Sequence, residues 1–390
     1  MSLSQDRLGK VTGKVKTTTQ LQNRGECRPE YPQLFTWGKE WSNASTCPLN
    51  VCCSKFGLCG TTSDFCGNKV VISPQFGYYE GWNLDQRLCD KMAPVDIPLG
   101  IYTLINFAFA LIDPTTFRIA PMDLKTGLRY HAVTTLKERQ PSLSVSFIEN
   151  NGFDGVDLDW EYPVADDRGE KPEDYKNFVN LIMRLRKRPA SYWYLREFDI
   201  VHLEPHVDFL NIMTYDIHGV WDGPIESLGQ YAFAHTNLTG INLAPELLWR
   251  NNINPARINL GLGFYGRSFN GGRPGPCTNT TGVLSATEVS RILREGKGQK
   301  FLDEQAAVQV VVFDKDQWVA FDDTAALKSK LDFANRRCLG GTMVWAVDLD
   351  DGALIASLGE AMGRKQEFVS DGFPGFIVDL GTSINETAFP

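Results

Sequence analysis

Asp154-Gly-Val-Asp157-Leu-Asp159-Trp-Glu161-Tyr-Pro163 is the stretch of this chain whose residue types and spacing best suit chemistry. On an extended backbone alternate residues share a face, so Asp157, Asp159 and Glu161 project to one side while Val156, Leu158 and Trp160 pack on the other. Three carboxylates on one face, about 7 Å apart per step, are costly unless something uses them. Crowded like charges raise the proton affinity of at least one, which is how a carboxyl group stays protonated near neutral pH and acts as a general acid. Two blander readings compete: a solvated acidic strand end, or a calcium site. An EF-type calcium loop needs glycine at its sixth and glutamate at its twelfth position, and neither is here. The apolar partner face, a tryptophan included, favours a strand buried on that side and therefore acid–base chemistry.

Elements that could position these groups are visible on either side. Short runs rich in β-branched and aromatic residues occur at 76–82 (FGYYEGW), 102–112 (YTLINFAFALI), 153–163, 207–216 (VDFLNIMTYD), 257–266 (RINLGLGFYG) and 340–350 (GGTMVWAVDLD). Between the third and fourth, PEDYKNFVNLIMRLRK sets Phe178, Leu181, Ile182 and Leu185 on one helical face. Strands alternating with helices imply parallel pairing and an α/β fold. Asn211, Met213 and Tyr215 share strand parity, as do Met343, Trp345 and Val347.

The 390 residues allow one large domain or two to three smaller ones, and 43% hydrophobic with 22% charged residues describes a globular chain. The most apolar run, Ile101 to Ile112, is short and carries Thr103 and Asn106, so no membrane partner is expected. Net charge is −8; the first 70 residues hold nine Lys or Arg against five Asp or Glu, which leaves −12 on the remainder and argues against a nucleic-acid partner. Six of nine cysteines (Cys27, Cys47, Cys52, Cys53, Cys59, Cys66) fall within forty residues. Such density means a disulfide framework or a zinc site; with no histidine nearby and no CxxC pairing, disulfides are favoured and no metal is expected. Disulfides imply an oxidising compartment, and sequons at Asn43, Asn237, Asn279 and Asn385 are compatible with one, whereas the first twenty residues show no apolar signal-peptide core.

FDGVDLDWEYP resembles the DxxDxDxE signature of glycoside hydrolase family 18, the chitinases, with Asp154, Asp157, Asp159 and Glu161 in its four places. MTYD at 213–216, GFYGRSF at 263–269 and GGTMVWAVDLDD at 340–351 resemble that family's later strands, in its order, and FGYYEGW and YTLINFAFA its first two. The resemblance implies a (β/α)8 TIM barrel whose strand ends line a cleft, and cleavage of β-1,4 links between N-acetylglucosamine units with retention. No second carboxylate attacks; the substrate's own acetamido oxygen does. Glu161 would protonate the leaving oxygen and later activate water, Asp159 would orient the acetamido group, and Asp157 would hold Asp159. Tyr215 would bond the acetamido carbonyl beside Met213 and Asp216; Trp345 would floor the cleaved subsite; Tyr78, Tyr265 and Arg267 would line the cleft, and Asp154 belongs to the same substrate-binding set. No cofactor is implied, the partners are chitin and chito-oligosaccharides, and a monomer is expected.

The spacing Cys47-x4-Cys52-Cys53-x5-Cys59-x6-Cys66 is similar to the hevein-type chitin-binding module. That likeness carries its sugar-gripping serine onto Ser54 and its aromatics onto Phe56, Leu58 and Phe65, with Leu58 breaking the pattern. It would pair Cys47 with Cys59 and Cys52 with Cys66, leaving Cys53 to Cys27. A small disulfide knot without ligand is the alternative. Secretion is expected from both likenesses.

The expected organisation is an arm (1–40), the cysteine module (41–70), the barrel (71–363) holding an α+β insertion (268–337), and a tail (364–390). Counting exposes a departure from the family. Only 43 residues (110–152) separate the YTLINFAFA strand from the acidic stretch, and 43 (164–206) separate that stretch from VDFLNIMTYD, where a helix, a strand and a helix are each due. The third and fifth strands are thus expected to be missing or reduced to SLSVSF (142–147) and PASYWYLR (189–196), and the family's SxGG motif has no match. Two functional readings follow: a chitin hydrolase, or a non-hydrolytic chitin-binding relative or shortened inactive product.

Overall fold

The computed structural model describes residues 75–366 apart from 114, 117, 147–152, 160, 162–170, 186–197, 224–230, 252, 269–274, 316 and 338, and, towards the N-terminus, the short strands Cys52–Cys53 and Cys59–Gly60. Those two strands pair antiparallel, with Cys53 opposite Cys59. The expected pairings of Cys27, Cys47, Cys52, Cys53, Cys59 and Cys66, and the sugar contacts of Ser54, Phe56 and Phe65, rest on side chains outside the described residues, as do the arm and 367–390.

Five of the apolar runs, all but 153–163, and the SLSVSF remnant form one sheet of six parallel strands: β1 (Gln75–Glu80), β2 (Leu104–Ala108), β3 (Ser144–Ser146), β4 (Leu210–Ile212), β5 (Ile258–Gly263) and β6 (Gly341–Trp345). Their order is β3-β2-β1-β6-β5-β4, a half-barrel. Its strands carry buried apolar side chains such as Tyr79, Ile105 and Leu260 together with buried polar ones, Asn106, Asn211 and Asn259 among them, and β5 is buried along its whole length. SLSVSF supplies β3 with only three residues, and PASYWYLR lies outside the described residues. The helix Asp174–Leu185 turns Phe178 and Ile182 into the core, where truncating either to alanine costs about 2–5 kcal/mol.

A second, five-stranded antiparallel sheet runs in the order Val283–Ser285, Tyr265–Ser268, Gln317–Phe321, Val308–Phe313, Gly298–Asp303. The helix Ala286–Arg294 starts where it does because Ser285 accepts the Glu288 N–H at 3.1 Å while the Glu288 carboxylate accepts the Ser285 N–H at 2.7 Å. This sheet starts at Tyr265 and ends at Phe321. The following helix, Thr324–Arg336, buries Leu327, Leu331 and Phe333 in the main core, although it falls within the 268–337 range expected for the insertion. A disulfide between Cys89 and Cys277, 188 residues apart, ties the segment after β1 to this second unit. Two isolated cysteines give no local signal of such a pair.

Candidate active site

Of residues 153–161 only Gly155 is bridged, so the acidic stretch is not the regular strand its alternation suggests; Trp160 lies outside the described residues. Asp154 fastens it. The Asp154 N–H donates to Val145 O at 2.6 Å, and its carboxylate accepts the Val145 N–H and Lys137 Nζ, each at 2.8 Å. Asp154 therefore clamps the segment to β3, and the structure does not bring it to the other carboxylates. Leu158 packs against the main core, while Asp157 turns the other way. Its Oδ2 accepts from Tyr78 OH at 2.5 Å and from Asn106 Nδ2 and Asn211 Nδ2 at 2.8 Å each.

Asp159 and Glu161 follow, both exposed. The surface of Asp159 is open to solvent although protein fills the volume around it. That crowding, and then the negative charges of Glu161 and Asp157, push its carboxyl up from 3.8 to about 7. Tyr215 enters from the turn after β4 and is buried; burial first, then the charges of Asp159, Asp216, Glu161 and Asp157, hold its phenol well above its ordinary range, so it remains a neutral donor. Its OH meets Met343 Sδ of β6 at 3.7 Å. Met213, two residues earlier, packs half-buried against the main core. The turn has this path because β4 and β5 approach closely at Gly261, where a Cβ would stand 2.5 Å from Ile212 O and 2.9 Å from Thr214 N.

Asp216 adopts a left-handed backbone, φ 55°. Its carboxylate accepts from Tyr265 OH at 2.7 Å and from the Arg267 guanidinium, with His235 Nδ1 3.2 Å away. Burial alone would raise this acid; the hydrogen bonds and charges of Arg267 and His235 outweigh it and hold Asp216 well below the usual carboxylate range. Arg267 also lies 4.8 Å over the ring of the exposed Trp221. Trp345 closes β6 as a half-buried platform, with Tyr78 and Phe109 at 5.5 Å and Trp82 at 6.2 Å between ring centroids.

Asp157, Asp159, Glu161, Tyr78 and Tyr215 are thus brought together, Asp216, Tyr265 and Arg267 form an adjoining pair-and-donor group, and Trp345 lies beside Tyr78. Sequence reasoning did not single out Trp82, Phe109, Trp221, His235 or Asn106. Trp82 has the parity of Tyr78 within FGYYEGW, a usable signal; His235 had none. A carboxyl that holds its proton to near neutrality, two carboxylates beside it, a neutral phenol and an aromatic platform suit acid–base cleavage of a ligand with flat apolar faces and hydrogen-bonding edges.

The profile described as Glycosyl hydrolases family 18 matches residues 143–350, and that described as Chitin recognition protein matches 37–72. The secreted chitinase LysM12 of Penicillium expansum is 25% identical over 431 residues, which cover 83% of this chain and 28% of that protein. The putative chitinase 1 of Margaritifera margaritifera is 25% identical over 365 residues, 75% of this chain and 77% of its own length. Among solved structures, catalytic domain 2 of the Ostrinia furnacalis Group II chitinase, in complex with penta-N-acetylchitooctaose, superposes with a TM-score of 0.67 at 23% identity, covering 75% of this chain and 97% of that one. The chain spans less than a third of the length of the Penicillium relative.

Proposed function

Because the chain belongs to the glycosyl hydrolases family 18, we propose that it hydrolyses β-1,4-linked N-acetylglucosamine polymers by a retaining, substrate-assisted mechanism. One observation carries this reading: Asp157, Asp159 and Glu161 interact electrostatically beside a buried, neutral Tyr215. In the proposed reaction the sugar in the cleaved subsite rests on Trp345. Glu161 donates a proton to the glycosidic oxygen as the bond to the anomeric carbon breaks, and the substrate's acetamido oxygen attacks that carbon from the other side, giving an oxazolinium. Tyr215 donates to the acetamido carbonyl and Asp159, in its ionised form, accepts a hydrogen bond from the acetamido N–H, aligning the internal nucleophile and countering its positive charge. Glu161, now a carboxylate, takes a proton from the water that opens the oxazolinium with net retention. Asp157 holds Asp159; Asp216, anchored by Tyr265 and Arg267, bonds the sugar beside Met213.

On the same reading the cysteine module holds the chain to chitin through Ser54, Phe56 and Phe65, its bridges being Cys47 to Cys59, Cys52 to Cys66 and Cys53 to Cys27, and the protein works outside the cell as a monomer. The family match at 37–72 and a relative named as secreted support this. The barrel is proposed to work with short third and fifth strands. The experiment is release of N-acetylglucosamine oligomers from colloidal chitin by the purified chain and by Glu161→Gln. Release by the first and none by the second is expected. Chitin retention by both without release would overturn hydrolysis and leave the non-hydrolytic binding protein.

A further inference from the structure

Beneath the carboxylates the half-barrel contains a polar layer that the reaction above does not use. Tyr78 of β1 and Asn106 of β2 are direct partners in the parallel ladder, and so are Asn211 of β4 and Asn259 of β5. These two pairs lie on separate parts of the sheet, and Asp157 joins them. Its Oδ2 accepts from Tyr78 OH, Asn106 Nδ2 and Asn211 Nδ2; Asn211 Nδ2 also donates to Tyr78 OH at 2.8 Å, and Asn259 Nδ2 donates to Asn211 Oδ1 at 2.8 Å. The three asparagines are 1–4% exposed.

The orientation of the amides is informative. Asn106 Oδ1 and Asn259 Oδ1 are buried with no hydrogen-bond partner among the described residues. A buried acceptor left unpaired is a cost that a purely structural amide avoids by rotating. Rotating Asn106 would set its oxygen against the Asp157 carboxylate, and rotating Asn259 would set its oxygen against Asn211 Oδ1, which would in turn release Asn211 from Asp157. Both orphaned oxygens are therefore consequences of aiming N–H groups at one carboxylate oxygen.

We propose that Asn106 and Asn211, the latter held by Asn259, are positioning residues that fix the Asp157 carboxylate as an oriented anion next to Asp159. They touch no reacting atom; they act through Asp157. Charge-assisted donors converging on one oxygen pin the side chain's rotation and stabilise its negative charge. A fixed anion there adds, after burial and the charge of Glu161, to what raises the neighbouring Asp159 carboxyl. The proposal rests on the hydrolytic reading for its effect on turnover, but its geometry can be tested without turnover.

The test is a double-mutant cycle. Asn106→Leu and Asn211→Leu are made alone and with Asp157→Asn, and two quantities are measured on the purified full chain: the folding equilibrium constant from urea unfolding at pH 7, and kcat and KM on a fluorogenic chito-oligosaccharide. Each leucine alone is expected to lower kcat by about 10-fold or more with KM changed less than about 3-fold, because the substrate contacts stay in place. With Asp157→Asn present, each is expected to cost less than about 3-fold further. In unfolding, Asn211 and Asp157 should be coupled by at least about 5-fold in the equilibrium constant. Additive effects in the unfolding cycle would overturn the proposal, as would additive losses of kcat. If the wild-type chain releases nothing, hydrolysis fails while the unfolding cycle still decides the asparagine cage.

Discussion

Replacing Asp159 by asparagine removes a charge that the fold disfavours, and the consequence depends on pH in a calculable way. The folded carboxyl stands at about 7 against an ordinary 3.8. Below about pH 4 both folded and unfolded chains hold this proton, and Asp159 has no differential effect. Between about 4 and 7 the unfolded chain has lost the proton and the folded one keeps it, so wild-type stability falls as pH rises; above 7 the loss is complete and constant. About three units at ~1.4 kcal/mol each give a ceiling of ~4 kcal/mol. Asp159 is exposed, and solvent screening brings the working figure down to roughly 1–2 kcal/mol. Asp159→Asn should therefore match the wild type near pH 4 and melt a few degrees higher at pH 8. The assay is urea or thermal unfolding of both proteins at pH 4, 6 and 8. A stability difference that does not grow between pH 4 and 7, or a variant less stable at pH 8, would refute the raising of the Asp159 carboxyl by burial and by the charges of Glu161 and Asp157.

Arg267→Lys keeps the charge but loses the two-pronged bond to Asp216 and the stacking on Trp221, so KM for chito-oligosaccharides is expected to rise about 10-fold; an unchanged KM would count against Asp216 as a held substrate contact. Losing the Cys89–Cys277 bridge, which spans 188 residues, should lower unfolding stability by about 2–5 kcal/mol, read as a lower urea midpoint of Cys89→Ser than of the wild type without reductant; equal midpoints would count against the bridge as a stabilising link. Lys330 and Asp322 form a buried ion pair with side chains 1% and 2% exposed. Lys330→Met, which strands the Asp322 carboxylate, is expected to cost about 3–5 kcal/mol, and adding Asp322→Leu should recover most of it; a double variant as unstable as the single one would show that the charge is not the cause.

The chemistry was legible where it is written in consecutive residues. The alternation of Asp157, Asp159 and Glu161 against Leu158 needs only the two-residue period of extended chain, and the structure sets Leu158 against the core while the carboxylates interact. The parallel α/β arrangement followed from strands alternating with helices. Less legible were the limits of elements. The Thr324–Arg336 helix reads as part of the insertion by position, and only its apolar face against the main core assigns it to the barrel. Asp154 carries the signature's spacing yet faces Lys137 and Val145, because a spacing says which side a residue takes and not what stands there.

The sequence alone determined the acid–base inventory, its order along the chain, and the likeness to a chitin-cleaving family. What surrounds each of these acids was decided by tertiary structure. The donors on Asp157 lie 79, 51 and 54 residues from it, and the partners of Asp216 come from the second sheet and from a loop. Spacing along a strand is fixed by covalent geometry and can be read locally. A carboxylate's proton affinity and orientation depend on burial and on charges and donors within a few ångströms, and those are set by strand register and packing among segments far apart in the chain.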